Sequence, residues 1–219
     1  VAERYGSDSI EYEDMLYSLD ATLAEFLTFL YAQIPSRDDV VVVLTSDGGM
    51  SPTKVENSDS SRFNARQFGV IINAFLSARY GQDSWVLGYA DGSLYLNHDV
   101  IYRHKKSVAE VQNEAATFAM QFRGVANTAT ATAMLGGVMS SSTSRLMQNS
   151  FYPRRSGDIL YCLQPNYYEL IDDKISISGS PYNYDRHIPL IFYGAGLRGR
   201  TIDRKIDSSS IAVTTAYLL

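Results

Sequence analysis

The sequence is short of most residues that announce a function on their own. Its 219 positions hold one cysteine, Cys162, one tryptophan, Trp85, and three histidines, His98, His104 and His187. A single thiol excludes an internal disulfide framework and a thiolate metal cluster, and leaves the redox compartment open. Basic excess is lacking too. The 19 Lys and Arg stand against 24 Asp and Glu, giving a net charge of -5, and the cations are scattered, so a nucleic-acid polymer is not an expected partner. No apolar run approaches the roughly 20 residues that cross a bilayer, and the purest stretch, Val40 to Leu44, is only strand-length. The chain begins Val1-Ala2-Glu3 with no charged and apolar leader, so a signal peptide is expected to be absent or removed and the sequence to be a fragment. Self-contained catalytic motifs are missing: there is no Gly-x-Ser-x-Gly elbow, no Walker loop, no His-Glu-x-x-His and no usable Cys–His pair.

What remains describes a packed domain. Hydrophobic residues make up 45% and charged residues 20%, which places the chain among globular proteins and excludes global disorder. Leu16, Leu19, Leu23, Leu27 and Leu30 recur at helical spacing, predicting an amphipathic helix over about 9–33, with Asp8 and Glu11 spaced as a capping box. Val40 to Leu44 is a β-branched run without polar alternation, the pattern of a strand buried on both faces of a parallel sheet. The Ser51–Ser61 stretch reads as a polar surface loop. Phe68, Ile71, Ile72, Phe75 and Leu76 predict a second helix ending at Gly81. Trp85–Tyr89 and Leu94–Leu96 around Asp91-Gly92 predict a hairpin, and Val108 to Phe122 a third helix, closed by Gly124 before a short strand at Val125–Ala129. Gly136–Ser144 reads as a mobile loop, Ile159–Leu163 and Ile188–Gly194 as strands. The expected class is therefore α/β, a mostly parallel sheet flanked by helices. Core parts at 1–62 and 150–219 are expected to enclose a smaller α+β cap at 63–149.

Two positions stand out chemically. Asp47 follows the buried strand and precedes two glycines, and ligands of open α/β sheets gather at the carboxyl ends of strands. On spacing alone a plain turn aspartate is the leading reading. His187 sits in Tyr184-Asp185-Arg186-His187-Ile188-Pro189, just before a strand, where an imidazole can bind zinc while Asp185 or a backbone carbonyl orients it; a lone histidine is more often structural. His98 and His104 read as solvated or locally hydrogen-bonded. Glu11, Glu13 and Asp14 read as carboxylates at a helix's positive end, and Arg154-Arg155 as a solvated loop.

Taken together, several segments resemble the phosphate-irrepressible branch of the alkaline phosphatase superfamily and its cousins, the type I phosphodiesterases and nucleotide pyrophosphatases. They are Arg4-Tyr5-Gly6-Ser7-Asp8-Ser9 with Glu11, Asp14 and Asp20; Val41 to Met50; Tyr80-Gly81 through Leu94-Tyr95-Leu96-Asn97; Arg155-Ser156-Gly157-Asp158; and Gly179-Ser180-Pro181-Tyr182 through His187-Ile188-Pro189. The resemblance covers nearly the whole chain. It implies an alkaline-phosphatase-like fold and the C-terminal portion of a metal-dependent phosphomonoesterase or phosphodiesterase, with up to two zinc ions and a phosphate ester substrate. It implies that the nucleophile lies upstream, so that no catalytic residue is in this chain, and a periplasmic or secreted address. Asp47 and His187 match metal ligands. Gly48 stands where the family has a histidine, and Glu3 falls on another histidine position, where a carboxylate is a replacement ligand. The alternative implied by Gly48 and Glu3 is an inactive relative that binds a ligand or protein.

Overall fold

The computed structural model describes residues 1–52, 62–137, 139, 141–170, 178–194 and 196–219. The chain opens with helix α1 (Ala2–Tyr5) and the long helix α2 (Ile10–Gln33), followed after a 3-10 turn at Arg37–Asp39 by strand β1 (Val41–Thr45). Next come β2 (Arg62–Phe63), α3 (Ala65–Tyr80), β3 (Val86–Ala90), β4 (Ser93–Leu96), α4 (His98–Arg103) and α5 (Val108–Ala119). The chain continues with β5 (Val125–Thr130), α6 (Ala131–Leu135), α7 (Ser142–Ser150), β6 (Ile159–Leu163) and β7 (Tyr168–Glu169). It closes with α8 (Asn183–Arg186), β8 (Leu190–Gly194) and α9 (Ser210–Leu218).

The architecture is α/β, as expected. A four-stranded antiparallel sheet in the order β3-β4-β6-β5 carries most of the buried core. Phe68, Ile72 and Leu76 from α3 and Val111, Ala115 and Ala119 from α5 pack on it with Trp85, Leu94 and Ile159. The helical spacing of those apolar positions is what turns one face of each helix inward. The hairpin forms where expected: Asp91 and Gly92 both have positive φ, 47° and 67°, the backbone that a tight two-residue turn demands. Asn64, Ser107 and Thr130 cap α3, α5 and α6 by accepting backbone N–H groups.

The second layer is thinner. β1 pairs with β8 antiparallel, Val41 opposite Gly194 through Thr45 opposite Leu190. α2 has no buried residue over its 24, and neither does α9. The expectation of a strand buried on both faces is thus not met: Val41, Val42 and Val43 are half-buried, Leu44 and Thr45 exposed. Among the described residues β8 is the partner of β1, and only one strand pair, β2–β7, runs parallel. An apolar run reports the burial a strand is built for, while its direction is set by the connection that brings its neighbour.

Three smaller expectations are corrected. Ser9, not Asp8, caps α2, its hydroxyl accepting the Tyr12 N–H at 3.1 Å. The serine stretch expected as a loop ends in α7, capped by Ser141, because consecutive hydroxyls that disfavour a helix interior favour its start. α5 ends at Ala119, and a turn intervenes before Gly124. The reading of 51–61 as a loop falls, from 53 onward, outside the described residues. Among those described, no helix is long and apolar enough to cross a membrane.

Candidate functional site

β1 and β8 run in opposite directions, so the end of one and the start of the other lie side by side. Asp47 follows β1 and His187 precedes β8. Continued past Thr45–Leu190, the ladder register sets Gly48 across from His187. Two contacts extend the pairing beyond the strands: the Thr45 hydroxyl donates to the Pro189 carbonyl at 2.9 Å, and the Gly49 N–H donates to the Asp185 carbonyl at 2.7 Å. Asp47 and His187 are therefore brought to the same end of the strand pair, and both are exposed there.

The Asp47 turn is closed by Ser46. Its hydroxyl donates to the Gly48 carbonyl at 2.5 Å and accepts the Gly48 N–H at 3.2 Å. This is the local turn that the Asp-Gly-Gly sequence signals. The adjoining arm, 178–187, is fixed by its own groups. Asp185 is 5% exposed; its Oδ2 accepts the Ser180 N–H at 2.6 Å, and its Oδ1 has no partner. Neither carboxylate oxygen bonds the His187 ring, so of the two expected orienting contacts the one from the Asp185 side chain is not made. Tyr182 donates its hydroxyl to the Leu163 carbonyl at 2.8 Å, and Tyr184 accepts the Asn166 N–H at 3.2 Å, tethering the arm to the end of β6. Burial, and then the neighbouring Cys162, push the Tyr182 hydroxyl well above its ordinary range, so it stays a donor.

Glu3 lies in α1, half-buried. The Ser7 hydroxyl just beyond that helix donates to the Ser51 carbonyl at 3.3 Å, which ties the segment to the chain following the Asp47 turn. Asp47 and His187 thus belong to one end of the thin layer, and the α1 segment that carries Glu3 is tied to residue 51 through Ser7. The three candidates do not form a closed cluster: among the described residues, no group of three or more His, Cys, Asp and Glu side chains gathers as a metal site would require. A catalytic zinc takes three protein donors from histidine, carboxylate or thiolate. Asp47 and His187 are of the right donor types and would supply two, so the fit to such a metal is partial, and glycine at 48 would add none.

The other histidines are locally bonded. His98 Nε2 lies 2.7 Å from Asp158 Oδ1 and His104 Nε2 lies 3.0 Å from Asp83 Oδ2, while the His104 ring packs on Trp85. Asp158 also accepts the Gln112 amide at 2.8 Å and the Leu96 N–H at 2.8 Å. The Arg155–Asp158 block therefore serves the sheet. Arg154 and Arg155 are exposed. What residue-type reasoning overlooked is Gly49, whose signal, a second glycine after the aspartate, is indistinguishable in sequence from turn chemistry.

Comparison with known proteins gives three findings. The sequence profile of the type I phosphodiesterase / nucleotide pyrophosphatase family matches residues 1–180. The whole chain aligns with a protein named calcium-transporting ATPase from Myroides odoratus, 26% identical over 41% of that protein, and with alkaline phosphatase PafA from Elizabethkingia meningoseptica, 23% identical over 40% of it. The crystal structure of wild-type alkaline phosphatase PafA superposes on all of this chain and 42% of its own, with a TM-score of 0.86 at 24% identity, a likeness of fold. The chain spans about two-fifths of the length of the relatives it matches.

Proposed function

The chain belongs to the type I phosphodiesterase / nucleotide pyrophosphatase family, and on that footing we propose that it is the C-terminal portion of a metal-dependent phosphoric ester hydrolase. In this reading Asp47 and His187 hold zinc together with donors from the remainder of the polypeptide, and Glu3 stands as a carboxylate donor beside them. The single observation that supports it most is the meeting of the Asp47 turn with the His187 arm at one end of β1–β8, through the Gly49–Asp185 hydrogen bond. A bound zinc supplies positive charge to a phosphoryl oxygen. The chain's own residues contribute the rest of what can be assigned to it. Asp47 offers an exposed carboxylate, His187 an exposed imidazole, and the Ser46 and Asp185 contacts hold both backbones in place. No nucleophile is assigned within residues 1–219, the substrate is a phosphate ester, and the address is periplasmic or secreted. We assign the α/β core parts to 1–62 and 150–219 and the cap to 63–149, with β4 and β5 of the cap pairing with β6 of the returning core part.

The test is zinc calorimetry and p-nitrophenyl phosphate turnover on the intact protein, wild type beside Asp47→Ala and His187→Ala. Each substitution is expected to weaken zinc binding by about 10- to 100-fold or more, since even second-shell changes reach that size, and to lower turnover with it. The 219-residue chain alone is expected not to hydrolyse the ester with added zinc. Unchanged zinc affinity in both variants would overturn the ligand assignment. A second reading, a non-catalytic relative that binds a ligand or partner, draws on Gly48, which has no side chain with which to coordinate. It predicts an intact protein without metal-dependent turnover.

A further inference from the structure

Adjacent glycines follow Asp47, and the structure gives them different surroundings. A Cβ built on Gly48 would meet only the Asp185 carbonyl oxygen, at 3.8 Å, an ordinary contact. A Cβ on Gly49 would overlap the Tyr184 carbonyl oxygen and lie 3.0 Å from its carbonyl carbon and 3.1 Å from the Asp185 Cα. All three are backbone atoms, so no flexible side chain can give way. The Gly49 backbone itself lies outside the left-handed region, and its requirement is therefore close approach, not conformational freedom. That approach is what lets its N–H reach the Asp185 carbonyl at 2.7 Å.

We propose that Gly49 is a positioning residue for the Asp47–His187 pair. With no side chain, it seats the strand-end turn directly on the Tyr184–Asp185 backbone and sets the aspartate and the histidine at a fixed separation. The buried Asp185 carboxylate holds the other half of this clip by accepting the Ser180 N–H, which keeps the 180–187 arm folded back beneath the turn. Two donors on separate segments serve one ion only if their spacing is set in advance. A displacement of about 1 Å is enough to lose much of the function of such a constellation. The proposal rests on the metal role given above to Asp47 and His187.

The experiment compares Gly49→Ala and Gly48→Ala in the intact protein, with zinc as the probe. Gly49→Ala is expected to weaken zinc binding about 10-fold or more while Gly48→Ala stays within about 2-fold. A second readout needs no metal: in an Asp47→Cys/His187→Cys background, the rate of disulfide formation reports the distance between the two arms, and Cys162 is buried and does not compete. That rate should fall about 10-fold on adding Gly49→Ala and hold on adding Gly48→Ala. Wild-type protein without zinc affinity would sink the metal role and leave the clip judged by the disulfide rate alone. Equal effects of the two glycines, or no effect of Gly49→Ala on either readout, would overturn the clip. Should Gly49→Ala fail to fold, Asp185→Ala removes the Ser180 link without adding volume and is expected to shift both readouts in the same direction; unchanged values there refute the proposal.

Discussion

Replacing Gln112 by leucine tests the most buried polar network in the four-stranded unit. Gln112 is 2% exposed, and its amide nitrogen donates to Asp158 Oδ1 at 2.8 Å. Its amide oxygen accepts the Thr132 N–H at 3.1 Å and the Thr132 hydroxyl at 2.7 Å. Leucine has nearly the same volume, so the change removes hydrogen bonds and little packing. A bond to a charged group contributes about 1.5–3 kcal/mol and each neutral one roughly 1 kcal/mol. Added apolar burial returns about 1 kcal/mol. Asp158 keeps His98 and Leu96 as donors and Thr132 is exposed to water, so the orphaned groups are partly rescued. The expected loss is about 3 kcal/mol. Urea melts followed by the fluorescence of Trp85, fully buried in the same unit, should show the midpoint falling by roughly 1.5 M for a slope near 2 kcal/mol/M. Gln112→Glu should be worse at neutral pH, since it sets a carboxylate against Asp158, and should recover on acidification. A loss below about 1 kcal/mol in Gln112→Leu, against the 1.5–3 kcal/mol of the charged bond alone, together with a tolerated Gln112→Glu, would refute the claim that this network holds α5 to the sheet.

Other expectations concern titration and thiol chemistry. The hydrogen bond from His104, then the Ser84 N–H and the Arg103 guanidinium, hold the Asp83 carboxyl below its ordinary value. A carboxylate lowered in the folded state stabilises it above the unfolded pKa, about 3.9, and loses that contribution as pH falls through the lower folded value. Asp83→Asn should therefore reduce the melting temperature at pH 7 and flatten its decline below pH about 4; identical acid limbs for variant and wild type would contradict the assignment. Burial pushes the Cys162 thiol up, against a lowering contact from Tyr182, so the native protein should resist alkylation that goes to completion once unfolded. Rapid labelling in native buffer would mean that β6 opens locally.

Legibility in sequence followed the range of the interactions involved. The Asp91-Gly92 hairpin, the Gly81 end of α3 and the β6 strand were readable because turn chemistry and local periodicity decide them. The Asp158 network was not, since its members come from α4, α5, α6 and the entry to β6, far apart along the chain, and each looks like an ordinary polar residue alone. Asp47 and His187 stood out through family resemblance, while their spacing alone favoured turn and structural roles. Their shared place at one strand end follows from antiparallel register, which only the fold supplies. The close approach at Gly49 was invisible for the same reason: what excludes a side chain there is backbone from more than 130 positions later in the sequence.

Uneven burial also governs how this chain comes apart. The β3–β6 unit seals Ile72, Leu76, Leu94 and Ile159 completely, whereas α2 leaves Ile10, Tyr17, Phe26 and Phe29 more than half exposed and α9 does the same with Val213 and Tyr217. Regions with few buried apolar contacts open at low free energy, and packed strands open only with the whole. Amide exchange on the isolated 219-residue chain should therefore divide it into a slow sheet and a fast outer layer. The candidate pair sits in that fast layer, so in the isolated chain the lifetime of the Asp47–His187 geometry is governed by the opening of β1–β8 well before the main core melts.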